Sequence, residues 1–174
     1  PHQISSSLQP QQLLGERPFD RYYYPRSEHQ TISECLARGE HCCVVGLPLA
    51  GKTRAVYEAL KNANPPFTVI KPHLDDIDIK DFEMPFPWKW WEIIHPSEPQ
   101  GWCNRCVLIL DDVDKFAAKR NCDYLINRFF PSKATIVATC RSEEELALAR
   151  SRLENLFNLF GKRIITFPKL PDSE

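Results

Sequence analysis

The residues best suited to chemistry form one continuous segment between two apolar stretches. Residues 46–53 read GLPLAGKT and fit the phosphate-binding pattern GxxxxGK[ST] at every required position. Glycines in this pattern let backbone N–H groups surround a phosphate, while the lysine contacts the β- and γ-phosphates and the hydroxyl binds Mg²⁺. We therefore predict a nucleotide-phosphate site made of the loop and the residue after it: Gly46, Leu47, Pro48, Leu49, Ala50, Gly51, Lys52, Thr53 and Arg54.

A pair of aspartates supplies the acidic groups that such a loop requires. Asp111 and Asp112 directly follow the apolar run VLIL at 107–110, which is typical of a strand buried on both faces. A carboxylate at the carboxyl end of a strand beside the loop is where Mg²⁺ is held. We expect Asp111 to hold the metal through water, together with Thr53, and Asp112 to orient the attacking water.

A third candidate is Arg141, which ends the segment Ala138-Thr139-Cys140-Arg141 after another apolar run. If that run is a strand beside 107–110, the guanidinium lies near the γ-phosphate and can report its presence. The alternative is a surface ion pair with Glu143 or Glu144. The predicted catalytic set is therefore Lys52, Asp111, Asp112 and Arg141.

The sequence favours ATP or ADP as the nucleotide. Neither the DxxG spacing after Asp111 nor an NKxD guanine-reading motif is present. Base faces stack on aromatic and apolar side chains, and candidates for the adenine contact precede the first strand: Phe19, Tyr22, Tyr23, Tyr24 and Pro25. Some of these rings are equally suited to the core.

Apolar runs and helical periodicity alternate along the chain. Strands are predicted at 41–45, 67–71, 107–110, 136–138 and 163–167. Helices are predicted from a capping box at Ser27 to Gly39, over 52–61, and from a capping box at Ser142 to Gly161. This alternation predicts an α/β fold with a parallel five-stranded sheet and helices on both faces.

Other segments are less regular. Residues 1–18 are expected to be a flexible arm, and 19–174 one P-loop NTPase domain. Residues 73–102 form an irregular insertion rich in Pro and Trp, with a short helix near 88–94. Its tryptophans either pack on their own domain or form a docking surface for a partner.

Composition excludes several classes of protein. A formal net charge of −1 over 174 residues gives no electrostatic case for nucleic acid as the main partner. No apolar run reaches the roughly 18 residues that span a membrane, and seven irregularly spaced cysteines fit a reducing compartment. We therefore expect a cytoplasmic protein. Half a zinc site at Cys103 and Cys106, with His95 as a further ligand, is a minor alternative.

The order of these motifs resembles the STAND group of P-loop NTPases, the signal-transduction ATPases with numerous domains. The resemblance rests on four segments: Pro25-Arg26-Ser27-Glu28, GLPLAGKT, LILDD and TCRS. It implies a sheet ordered 5-1-4-3-2, ADP bound at rest, exchange for ATP, self-association, and sensor or effector modules as partners. It also implies Arg141 as the sensor. The helical and winged-helix modules of the family do not follow the fifth strand here, so the chain is expected to be an NTPase core and a piece of a longer protein.

Three functions compete at this point, and an ATPase that works on nucleic acid is a further option that the low net charge disfavours. The leading hypothesis is an ATP-dependent regulatory switch with slow ATP hydrolysis. The alternatives are a small-molecule or nucleoside kinase and a non-catalytic interaction module that nucleotide stabilises. No arginine-rich lid of the kind that clamps a transferred phosphoryl group is evident in the sequence, which disfavours the kinase.

Overall fold

A computed structural model describes residues 22–64, 67–71, 106–119, 122 and 134–168. The expected arm at 1–18, the insertion at 73–102 with its short helix, Phe19, His95 and Cys103 lie outside these ranges. Among the described residues, no helix is long and apolar enough to cross a membrane.

The described strands form one parallel sheet. They are β1 (Cys42–Val45), β2 (Thr68–Ile70), β3 (Cys106–Leu110), β4 (Thr135–Cys140) and β5 (Ile164–Thr166). Their order is β2-β3-β4-β1-β5, and every pairing between neighbours is parallel. Read from the β5 edge, this order is 5-1-4-3-2, which matches the order implied by the resemblance. The carboxyl ends of β1, β3 and β4 consequently meet at one edge, where a ligand site of this class of fold is built.

Helices cover both faces of the sheet. These are α1 (Ser27–Arg38), α2 (Lys52–Lys61), α3 (Val113–Ala117), α4 (Glu143–Arg152) and α5 (Glu154–Phe160). Strand β1 shows how the two faces are separated, because successive side chains of a strand point to opposite sides. Its first and third residues join the core with α1 and α2, whereas its second and fourth join the core with α3, α4 and α5. The predicted layer arrangement is confirmed.

The helix predicted from Ser142 to Gly161 is wrong in one respect, since two helices occupy that stretch. The chain leaves helical geometry at Leu153, whose backbone has φ −122° and ψ 47°. Leu153 is buried in the same core cluster as Leu156 and Phe157. The apolar pattern continues through the break because burial of these side chains, and not an unbroken backbone ladder, holds the two helices on the sheet.

The predicted helix ends have mixed outcomes. The Ser142 hydroxyl accepts a hydrogen bond from Glu145 N at 3.1 Å, as the capping box predicts. Gly39 ends α1 in the left-handed region at φ 68°, also as expected. The cap predicted at Ser27 is wrong, because the extended residue before the helix is Arg26, so that Ser27 already lies in the first turn.

Candidate nucleotide site

The loop between β1 and α2 is positioned by the ends of two neighbouring strands. Gly46 N donates to the carbonyl oxygen of Cys140, the last residue of β4, at 3.2 Å. A Cβ added at Gly46 would lie 2.9 Å from both Cβ and O of Phe167, just after β5. Only glycine fits this approach without a shift of backbone. Leu49 and Gly51 have positive φ values of 65° and 91°, which complete the curl of the loop.

Lys52 lies inside that curl. Its side chain is buried, and Nζ donates to the carbonyl oxygens of Gly46 at 2.6 Å and Leu47 at 2.9 Å. The loop therefore already surrounds one positive charge. A phosphate entering the loop would meet this ammonium at the N-terminus of α2, where the helix dipole favours anions.

Asp111 collects hydrogen bonds from three elements. Its Oδ1 accepts from the hydroxyl of Thr53 at 3.0 Å, at the start of α2, and from the hydroxyl of Thr139 at 2.7 Å, in β4. Its Oδ2 accepts from Lys71 Nζ at 3.2 Å, just after β2. The structure thus places together Thr53 and Asp111, the two residues that the sequence predicts for the metal.

Asp112 faces a second set of cations. Its backbone is left-handed, with φ 61°, and its amide donates to the Thr139 hydroxyl at 2.9 Å. Its Oδ2 accepts from Arg141 Nη2 at 2.6 Å and from Lys115 Nζ at 2.9 Å. Burial alone would raise the pKa of the Asp112 carboxyl, but the hydrogen bonds from Arg141 and Lys115 outweigh it and lower the pKa to about 2. Asp112 is therefore a carboxylate at neutral pH, and Arg141 lies at the carboxyl edge of the sheet as predicted.

The residues before α1 border a separate cavity of about 500 Å³ along α2. Tyr23 and Pro25 line it together with His29, Arg54 and Glu58. The Arg54 guanidinium is paired with Glu58 at 2.6 Å and lies 5.5 Å from the centre of the Tyr23 ring.

The adenine candidates are thus divided between two environments. Tyr22 and Tyr24 are 80% and 83% exposed, and neither lines this cavity. Tyr23 and Pro25 do line it, and they keep their place as candidates.

Sequence reasoning missed Lys71 and Lys115. Both lysines bind the acidic pair, yet neither belongs to a recognised motif. Lys115 had a local signal, because it follows Asp112 at the i,i+3 spacing of a helix. For Lys71 the signal was its place at the end of a predicted strand, which becomes informative once β2 is known to lie beside β3.

Comparisons with known proteins support the fold. The chain is similar to Orc1 of Aeropyrum pernix, solved in complex with DNA, with 13% identity and a TM-score of 0.56 over 86% of this chain and 47% of that one. It is also similar to NtrX of Brucella abortus, solved in complex with ATP, with 19% identity and a TM-score of 0.52 over 87% of this chain and 39% of that one. The chain spans less than half of either structure. No protein-family model and no curated protein matches it. At these identities the likeness concerns the fold alone, a parallel sheet with helices on both faces.

Proposed function

We propose that this domain binds ATP and ADP together with Mg²⁺ and hydrolyses ATP slowly as a regulatory switch. The observation that carries the proposal is the 3.0 Å contact between Thr53 Oγ1 and Asp111 Oδ1. It joins the phosphate loop to the acidic pair, although 58 positions separate the two residues in the chain.

The donor set fits magnesium. Mg²⁺ prefers oxygen ligands and keeps several of its waters in protein sites. The Thr53 hydroxyl and the Asp111 carboxylate would supply such oxygens, with Asp111 acting through water. When bound, the ion would neutralise charge on the phosphate oxygens.

The remaining residues would work around the γ-phosphate. Lys52 would exchange the two loop carbonyls for the β- and γ-phosphate oxygens, because charged oxygens are the stronger acceptors. Asp112 would orient the attacking water. A carboxylate held at a pKa of about 2 by Arg141 and Lys115 is a poor proton acceptor. Transfer of Arg141 from Asp112 to the γ-phosphate would therefore make Asp112 more basic at the moment when ATP is present.

Further parts of the proposal extend the resemblance to STAND proteins. ADP would occupy the resting state, exchange for ATP would promote self-association, and attached sensor or effector modules would respond in the cytoplasm. Support for ATP over GTP comes from the missing guanine motifs described above.

The site is tested by Lys52→Ala. We expect the variant to lose nucleotide binding by calorimetry, because the buried ammonium is the positive charge enclosed by the loop. Lys162→Ala is the matched control, because this substitution removes the same charge. Lys162 is exposed beside Gly161, at the opposite end of the sheet. Far-ultraviolet circular dichroism establishes that both variants are folded. Equal affinity for MgADP in the parent and in folded Lys52→Ala would exclude the site.

A further inference from the structure

Lys71 places a positive charge beside Asp111, on the side of the site where Mg²⁺ would bind, here called the metal side. It directly follows β2, whose Ile70 pairs with Leu108 of β3, so its side chain reaches the carboxyl end of the neighbouring strand. There Nζ lies 3.2 Å from Asp111 Oδ2, with side chains 27% and 23% exposed. Asp111 is thus mostly shielded from water and already paired with a cation that the phosphate loop does not supply.

The charge of Lys71 matters because other cations also surround the acidic pair. The two carboxylates of Asp111 and Asp112 face three protein cations, namely Lys71, Lys115 and Arg141. A divalent ion approaching Asp111 meets local positive charge, because the negative charge there is already matched. Like charges a few ångströms apart repel strongly where water is partly excluded. Lys71 and Mg²⁺ therefore compete for the Asp111 carboxylate.

We propose that Lys71 is a resident cation that occupies the metal side of the site at rest and that Mg²⁺ displaces from Asp111 when nucleotide binds. This inference rests on the proposed function and specifies how the same site is regulated. Lys71 would compete with Mg²⁺ for Asp111 in the presence of nucleotide. In its absence the ammonium would partly replace the metal by neutralising phosphate charge. Both effects weaken the dependence of nucleotide binding on magnesium.

The measurement is the coupling between metal and nucleotide. The dissociation constant for ADP is determined by calorimetry in excess EDTA and in excess Mg²⁺. The value in EDTA divided by the value in Mg²⁺ is then compared between variants. Lys71→Met removes the charge while keeping most of the side-chain length, and we expect it to raise this ratio at least tenfold. Binding in EDTA weakens because a cation is lost, and binding with Mg²⁺ strengthens because the competitor is lost.

Two further variants identify the cause. Lys71→Arg keeps the positive charge and should leave the ratio within about twofold of the parent. Lys162→Met removes one exposed positive charge at the opposite end of the sheet, away from the acidic pair, and it too should leave the ratio near that of the parent. If thermal unfolding shows that Lys71→Met is not folded, Lys71→Gln supplies the same comparison with a polar side chain.

The possible failures are separable. A ratio in folded Lys71→Met equal to that of a nucleotide-binding parent would overturn this inference and leave the proposed function standing. An equal rise in Lys162→Met would also overturn it, because general loss of positive charge would then explain the effect. A parent that binds ADP and ATP under neither condition would overturn the proposed function and this inference with it.

Discussion

At the scale of single residues, two adjacent aspartates have different partners because their backbone conformations differ. Asp111 directly follows β3, and its carboxylate accepts from Thr53. Asp112 has a left-handed backbone, and its carboxylate accepts from Arg141. The Thr139 hydroxyl joins them, since it donates to Asp111 and accepts from the Asp112 amide. One threonine in β4 thus fixes the relative orientation of both acidic groups.

The environment of Asp112 predicts a pH-dependent contribution to stability. Its pKa in the folded protein is about 2, against an ordinary value of 3.8. A depressed pKa contributes stability that is fully present above the ordinary value and is lost as pH falls through the folded value. We therefore expect the parent to exceed Asp112→Asn by about 2 kcal/mol in unfolding free energy at pH 6, with the difference vanishing only below pH 2. Urea denaturation across this pH range measures it, and a gap that is constant with pH would contradict the assignment.

The same variant separates binding from turnover. Asp112→Asn keeps Lys52, Thr53 and Asp111, so we expect MgATP affinity within a few-fold of the parent. Phosphate release should fall at least a hundredfold, because the amide orients water poorly and carries no negative charge. Unchanged phosphate release would remove Asp112 from its role. An ATP-binding parent that releases no phosphate, even when self-associated, would favour the non-catalytic interaction module.

At the scale of elements, the start of α4 depends on a single side chain. Ser142 is extended, and its hydroxyl accepts from the Glu145 amide, which would otherwise lack an intrahelical partner. We expect Ser142→Ala to lower the unfolding free energy by about 1 kcal/mol. Ser151→Ala is the matched control, because that exposed hydroxyl donates to the Leu148 carbonyl within the same helix and caps nothing. Equal losses in the two variants would show that the cap contributes little.

The elements were predictable to the extent that local sequence determines them. The phosphate loop, the strand before Asp111 and the cap at Ser142 each depend on adjacent residues, and each was found. The break at Leu153 was missed because its side chain continues the apolar periodicity while only its backbone departs from the helix. Helix α3 was missed because five residues are too few to show a period.

Contacts between distant strands were the harder part of the site. The roles of Lys71 and Thr139 depend on which strands are neighbours. Lys71 belongs to no motif, and the TCRS segment that begins with Thr139 does not by itself identify Asp111 as its partner. Strand order supplied that information by placing β2 and β4 on either side of β3. The phosphate loop could therefore be predicted before the sheet was known, whereas the charges around the acidic pair could not.

At the scale of the whole molecule, two buried carboxylates lie where α3 packs against α4. Asp114 Oδ1 and Glu145 Oε2 are buried and have no hydrogen-bond partner among the described residues. An oxygen of each lies within 4.8 Å of the other and of Cys140 Sγ. Two carboxylates facing each other in this way weaken the packing of one helix on the next, because a buried acceptor without a donor is costly.

We expect Glu145→Gln to raise the unfolding free energy by about 1 kcal/mol, since its amide can donate to Asp114 and like-charge repulsion is removed. Glu143→Gln removes the same charge from the same first turn of α4 but lies exposed, so it should be neutral or slightly destabilising through the helix dipole. Chemical denaturation of both variants at pH 7 measures the difference. A loss of stability in Glu145→Gln as large as in Glu143→Gln would show that the two oxygens are satisfied in solution.

The close approach of Gly46 and Phe167 has a mechanical consequence. Phe167 N donates to Val45 O at 2.7 Å, and the space beside Gly46 is too small for one methyl group. Because the two backbones are in contact, a displacement of the chain just after β5 would also displace Gly46, the first residue of the phosphate loop. Conversely, a nucleotide bound in the loop would restrict the chain after β5.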